Sequence, residues 1–263
     1  MITFSKLGNH GRLGNQMFQY SLLKTISLKN GFTLAIPKQN HQLLECFDIK
    51  CKVYDLENEK TLNALSRFHK IYEKSFDFDE NMFHVNDNSD LAGNFQTERY
   101  FNEYRDEILI DFTFNKEISD KALEICNNLK QQNKQLVSLH VRRGDYVNLQ
   151  NYHPLCDIEY YKNAVNNFEN VKVVCFSDDI EWCKKEFGFI EDIFFSETNN
   201  PYVDLCLMSL CDHNIIANSS YSWWGAWLNK NSDKKIIAPK KWFGPNYSQH
   251  DTRDLLPEGW IKI

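Results

Sequence analysis

The chain has 263 residues, 42% of them hydrophobic and 14% aromatic, and a formal net charge of −6. That is enough apolar material for one or two buried cores, while the acidic balance argues against a nucleic-acid partner and still allows a local basic site for one phosphorylated small molecule. No uninterrupted run of about 18 apolar residues occurs and the opening MITFSKLGNHGRLGNQMF has no signal-type apolar region, so no membrane span and a cytoplasmic location are expected.

The eight cysteines form no C-x-x-C pair, and several lie inside apolar stretches such as VVCFSD and DLCLMSLC. There cysteine acts as a small core hydrophobe, and free thiols suit a reducing compartment.

In chain order, ITFSKL reads as a strand, a glycine-rich loop GNHGRLGNQ follows, and NQMFQYSLLKTISLKN reads as a helix. Phe18, Leu22 and Ile26 recur on one face of that helix, and Gly31 is placed to end it in a left-handed conformation. FTLAI is a second strand, closed by Pro37. The loop matches neither G-x-G-x-x-G nor a Walker sequence. Its Asn15 and Gln16 amides suit a polar ligand, and a merely tight turn explains the glycines equally well. From about 40 to 110 no firm periodicity appears, and short helices and loops are expected. Asp77 and Asp79 form a D-x-D in this stretch, read as a solvated acidic loop, with no metal site expected.

Beyond about 117 the pattern turns regular. Helix EISDKALEICNNLK leads to strand QLVSLHV, then helix DIEYYKNAVNNF to strand VKVVCFS and helix IEWCKKEF to strand DIFFS. Helix VDLCLMSLC, strand NIIAN, helix YSWWGAWLN and strand KKIIAP complete the series. Near-continuous apolar strands alternating with helices imply a doubly wound parallel sheet, whose ligands bind beyond the carboxyl ends of the strands. The expected division is an α/β domain over 1–125 and the doubly wound domain over 126–263.

Three strand ends carry candidate chemistry. After QLVSLHV comes RRGDY, and only seven of the 30 basic residues are arginine. An arginine fork binds phosphate oxygens bidentately and stays charged. His140 and Arg142 lie on one side of an extended strand, so both can address one ligand, while Arg143 points elsewhere. Structural alternatives are a core histidine and an Arg143–Asp145 pair. VVCFSDD delivers Asp178 and Asp179, suited either to the N–H groups of guanine or to a helix cap. NIIANSSYSWWGAW brings Ser219 and Ser220 to a helix N-terminus, where free amides and hydroxyls make a phosphate site. Trp223, Trp224 and Trp227 share one side of that helix and read as core.

GRLGNQMFQY, HVRRGDY and NSSYSWWGAWLN, at 11–20, 140–146 and 218–229, together resemble glycosyltransferase family 11, the α-1,2-fucosyltransferases. The resemblance implies a GT-B-like fold of two Rossmann-like α/β domains facing a cleft, acceptor side first and GDP-fucose side second. It implies inverting transfer of fucose to the 2-hydroxyl of a terminal galactose, with GDP-fucose as donor substrate, a β-galactoside glycan as acceptor, and no cofactor or metal. On that reading Arg142 neutralises the diphosphate, His140 seats the nucleotide, Asp178 meets guanine, and Ser219 and Ser220 meet phosphate. The loop bearing Asn15 lines the site near the transferred sugar, and LAGNFQTERYF (91–101) lies beside the acceptor. Asp145, three residues from Arg142, is the candidate base or an arginine's partner. The alternatives are a GDP-sugar transferase of different linkage and a non-catalytic nucleotide- or glycan-binding protein.

Overall fold

A computed structural model describes residues 1–9, 11–130 and 134–263, so His10 of the glycine-rich loop lies outside the described residues. The chain folds as two units, residues 1–115 with 250–257, and 116–249 with 258–263. The division falls at 115/116, not at 125/126, because a cut at the latter would pass through a continuous helix over Lys116–Lys130.

The first unit contains β1 (Ile2–Thr3), α1 (Leu13–Asn30), β2 (Ala35–Pro37), α2 (Leu43–Cys46) and β3 (Lys52–Tyr54). It continues with α3 (Glu59–Leu65), β4 (His69–Tyr72), β5 (Ser89–Ala92) and α4 (Arg105–Asp111). Its strands are parallel, in the order β1-β5-β4, with β2 paired to β3 and an Ile2–Leu34 bridge alongside. Helix α1 is buried on more than the single face expected, with Met17, Phe18, Tyr20, Leu22, Leu23 and Ile26 all enclosed. Gly31 closes it at φ 68°, as a residue without Cβ allows at no cost. Arg12 gives α1 no side-chain cap; the Gln42 Oε1 instead accepts the Leu13 N–H at 3.0 Å.

Three strands, β3 to β5, occupy the stretch read as helices and loops. Strand β4 (HKIY) is largely exposed, so no alternation marks it. Strand β5 (SDLA) carries a buried aspartate that breaks its apolar run. Asp90 is tolerated there because Ser5 donates its N–H at 2.7 Å and its hydroxyl at 2.6 Å, and Lys70 forms an ion pair with it. A buried carboxylate persists only when so compensated.

The second unit holds α5 (Lys116–Lys130), β6 (Gln135–Val141), α6 (Ile158–Val165), β7 (Val171–Ser177), α7 (Ile180–Glu186) and β8 (Ile193–Phe195). It ends with α8 (Pro201–Leu210), β9 (His213–Ile215), α9 (Ser220–Leu228), β10 (Ile236–Ala238) and β11 (Ile261–Lys262), the last a strand the sequence pattern did not show. The sheet runs β11-β10-β9-β6-β7-β8, parallel throughout. Counted within this unit the order is 6-5-4-1-2-3, the doubly wound arrangement, whose order reverses between β6 and β9. From Leu136 to Val141, β6 is buried at every position, as expected of a strand covered on both faces. Val137, Leu139, Val141, Val173 and Cys175 meet Tyr161 of α6 and Cys183 of α7 in one core. Trp223, Trp224 and Trp227 are core, as expected. Helices α8 and α9 approach so closely that a Cβ on Gly225 would lie 2.9 Å from the Met208 Cβ. No described helix is long and apolar enough to cross a membrane.

Candidate functional site

Strands β6 and β7 end level with each other, Val141 opposite Ser177. The residues that follow, Arg142 and Asp178, therefore emerge side by side. The Arg142 Nη1 donates to Asp178 Oδ2 and its Nη2 to Asp145 Oδ1. A 3-10 turn over Gly144–Asn148 brings Asp145 back to the guanidinium. The Arg143 N–H donates to Asp178 Oδ1 at 2.9 Å, so both oxygens of that carboxylate hold the arginine loop. Gly144 leaves room for this carboxylate, since a Cβ there would lie 2.4 Å from Asp178 Oδ2 and displace it.

Arg143 does turn away. Its Nε donates to Asp179 Oδ2 at 2.9 Å, and its guanidinium lies 4.1 Å over the ring of Trp182. Asp179 also caps α7, accepting the Trp182 N–H at 3.3 Å. The two candidate roles of the aspartate pair thus fall to different residues, with capping on Asp179. The Arg143–Asp145 pairing offered by the sequence is replaced by Arg142–Asp145 and Arg143–Asp179, because the 3-10 turn carries Asp145 to the same side as Arg142. Asp178, expected at guanine, has both oxygens engaged in this structure, Oδ2 by the Arg142 guanidinium and Oδ1 by the Arg143 N–H.

His140 is 6% exposed, and its Nδ1 is buried without a hydrogen-bond partner. Burial, and then the charge of Arg142, lower its pKa to about 3, so the ring is neutral near pH 7. A buried polar atom of this kind costs free energy unless something answers it. The imidazole packs 5.5 Å from the ring of Tyr221, in the first turn of α9.

Tyr146, the aromatic that closes the HVRRGDY motif, links the two sides of the switch point. Its ring lies 5.0 Å from the Arg142 guanidinium, and its hydroxyl donates to the Asn218 carbonyl at 3.2 Å, just before α9. His153 stacks on the same ring at 4.7 Å and 17°. Burial pushes the Tyr146 phenol up to about 12, which keeps it a donor. Its only signal in the sequence was an aromatic closing the motif. Asn218 is itself a clamp, donating to the carbonyls of Pro154 and Trp242 at 2.9 and 3.0 Å.

Ser219 occupies the cap position of α9, is 8% exposed, and makes no side-chain cap bond. Ser220 opens the helix and is half-buried. His140, Arg142, Asp145, Asp178, Ser219 and Ser220 therefore gather along the carboxyl ends of β6, β7 and β9. Chemically the arrangement offers a guanidinium fixed by two carboxylates and, after a neighbouring strand of the same sheet, the N-terminus of a helix.

Asn15 belongs to the first unit. Its Oδ1 accepts from Gln96 Nε2 at 3.0 Å, and its side chain fills the space a Cβ on Gly11 would need. Asp79, half of the D-x-D, caps a 3-10 turn by accepting the Asn81 N–H at 3.0 Å. No group of three His, Cys, Asp or Glu among the described residues is arranged to hold a metal ion.

The profile of glycosyl transferase family 11 matches residues 3–263. The chain is similar to the alpha-1,2-colitosyltransferase of Escherichia coli, with 34% identity over 96% of each chain. It is 27% identical to galactoside 2-alpha-L-fucosyltransferase SEC1 of Bos taurus, over 83% of this chain and 62% of that one. Among solved structures, NodZ alpha-1,6-fucosyltransferase soaked with GDP-fucose, a Bradyrhizobium protein, superposes with a TM-score of 0.57. That match covers 86% of this chain and 92% of NodZ at 14% identity, so it speaks to fold. The GT-B-like class is that of these neighbours.

Proposed function

The chain belongs to glycosyltransferase family 11, and from that premise we propose that it moves L-fucose from GDP-β-L-fucose to the 2-hydroxyl of a terminal galactose in a β-galactoside glycan. The transfer inverts the anomeric carbon and uses neither metal nor cofactor. The observation that carries this reading is the Arg142 fork, held by two carboxylates at the β6/β9 switch point.

As the bond from C1 to the diphosphate oxygen breaks, negative charge collects on the leaving GDP. Arg142 and the amides and hydroxyls at Ser219 and Ser220 meet that charge, and interactions that strengthen in the transition state are the ones that accelerate the step. The acceptor O2 attacks C1 from the opposite face, its proton passes to a general base, and GDP leaves with the electron pair of the broken C1–O bond. His140, neutral and with an unanswered Nδ1, seats the nucleotide. Asp178 orients Arg142. For Asp145, engagement with the same guanidinium favours an orienting role over that of base.

A second donor is favoured by one observation: the 34% identical relative is a colitosyltransferase. Incubation of the purified protein with lactose and either GDP-fucose or GDP-colitose, followed by linkage analysis, tests both. A 2-linked fucoside, formed equally in EDTA, is expected. A 3-linked product would refute the regiochemistry, loss of activity in EDTA the metal-free mechanism, and GDP binding without GDP release the enzymatic reading.

A further inference from the structure

In the first unit β1, β4 and β5 are parallel, so the segments leaving them emerge along one edge of the sheet. That edge is where an α/β sheet binds ligands. Neutral amides gather there. Gln96 reaches Asn15 at 3.0 Å, and Gln19 donates its Nε2 to the Gly93 carbonyl at 2.9 Å. Asn94 lies between them in sequence and is half-buried. Amides of this kind suit the hydroxyls of an uncharged sugar, whereas the arginine fork of the second unit suits a diphosphate.

One carboxylate sits among them. Glu73 continues β4, donating its N–H to the Ala92 carbonyl at 2.9 Å. Its two oxygens accept the backbone N–H groups of Asn94 at 2.6 Å and Phe95 at 2.7 Å. Gly93 is packed against it, since a Cβ there would lie 2.4 Å from the Glu73 Cβ. Phe95, fully buried, is held at φ 55°. A left-handed conformation in a bulky residue costs about 1–3 kcal/mol and persists only where its surroundings enforce it, typically at functional sites.

We propose that Glu73 is the positioning residue of the acceptor site, its carboxylate holding the Gly93–Phe95 turn in the shape from which Asn94 and Gln96 bind the acceptor sugar. This rests on the transferase reading given above. Burial pushes the Glu73 carboxyl up to about 7, against the pull of the two N–H bonds. Tyr100, whose phenol is pushed up to about 12 by burial and by the charges of Glu73, Asp79 and Asp77, stays neutral. Only the ionised carboxylate can accept through both oxygens without restriction, so the turn tightens as pH rises through 7.

The test is acceptor kcat/KM with lactose at saturating GDP-fucose, from pH 5.5 to 9, together with calorimetric GDP affinity, for wild type and Glu73→Gln. In the wild type, acceptor kcat/KM should fall on the acid side of a limb near 7. In Glu73→Gln that limb should vanish and the acceptor KM rise by at least tenfold, with GDP affinity within twofold. An unchanged acceptor KM and limb in the variant overturns the role, and so does an equal loss of GDP affinity, which would make Glu73 a general support of the fold. If Glu73→Gln does not fold, the wild-type profile decides alone: a flat acceptor kcat/KM between pH 6 and 8 overturns the proposal. A wild-type chain that neither binds GDP nor transfers sugar overturns the transferase reading and this one with it.

Discussion

Replacing Arg142 by lysine keeps the charge and removes the fork. In the structure two separate nitrogens serve two carboxylates, Nη1 on Asp178 and Nη2 on Asp145. A lysine ammonium is a single point of charge on a flexible stem and cannot hold both at once. One charge-assisted hydrogen bond is worth about 1.5–3 kcal/mol, and loss of one donor aimed at developing charge costs roughly 100-fold to 1000-fold in kcat. Because the charge survives, the lower bound applies, and Arg142→Lys should lower kcat roughly 100-fold, or about 2.7 kcal/mol. The assay is GDP release from GDP-fucose in the presence of acceptor, with GDP affinity measured by calorimetry. Arg143→Lys is the internal control. It loses an ion pair to Asp179 and the stack on Trp182, worth about 1 kcal/mol of stability and a Tm drop of about 2–4 °C. Near-normal turnover in Arg142→Lys would remove that residue from the mechanism. Equal loss in a well-folded Arg143→Lys protein would mean the two arginines had been assigned the wrong way round.

Gly144→Ala should push Asp178 off Arg142, because the added Cβ lies 2.4 Å from Oδ2; a fall of roughly 10–100-fold in turnover is expected from one charge-assisted bond, read by steady-state kinetics. Ser219→Ala should leave stability within about 0.5 kcal/mol, because no cap bond is lost, while weakening GDP binding; a loss of about 1 kcal/mol in denaturant unfolding with unchanged GDP affinity would make the residue an ordinary helix cap. His140 has a folded pKa lowered to about 3, so the unfolded chain takes up its proton first and stability is lost as pH falls from about 6.5 toward 3. At pH 4 this amounts to about 3 kcal/mol, and His140→Gln should therefore show a correspondingly shallower loss between pH 6.5 and 4 in urea titrations.

Much of the second unit was legible. Strands β6 and β7 coincide with QLVSLHV and VKVVCFS, because strands buried on both faces leave unbroken apolar runs. The first unit was harder for a physical reason. Its central strand β5 spends a buried position on Asp90, and its edge strand β4 faces water, so neither shows a period. Glu73 was invisible on the same account: without β4, nothing marked it as a strand-end residue. Partner choice among the aspartates was also beyond sequence spacing. Arg142 finds Asp145 only because the chain makes a 3-10 turn, and Arg143 finds Asp179 only because α7 starts where its cap is needed.

Register explains why three motifs far apart in the chain act together. β6 pairs with β7 so that Val141 faces Ser177, and with β9 so that Leu139 faces Ile215. Carried on at the same offsets, Arg142 falls level with Asp178 on one side and Asn218 on the other. HVR, FSD and IAN are thus one rung of the sheet written in three places. A slip of one residue in any strand would exchange its side chains between the two covered faces and break the packing made there, so the core itself enforces the alignment of these strand ends. The loops then need only short reaches: Arg142 to Asp178 directly, and Tyr146 to the Asn218 carbonyl at 3.2 Å. The Arg142–Asp178–Asp145 cluster is thereby held in place by packing and by its own hydrogen bonds. That is why substitutions at Gly144 or Arg142 are expected to act on turnover well before they act on the fold.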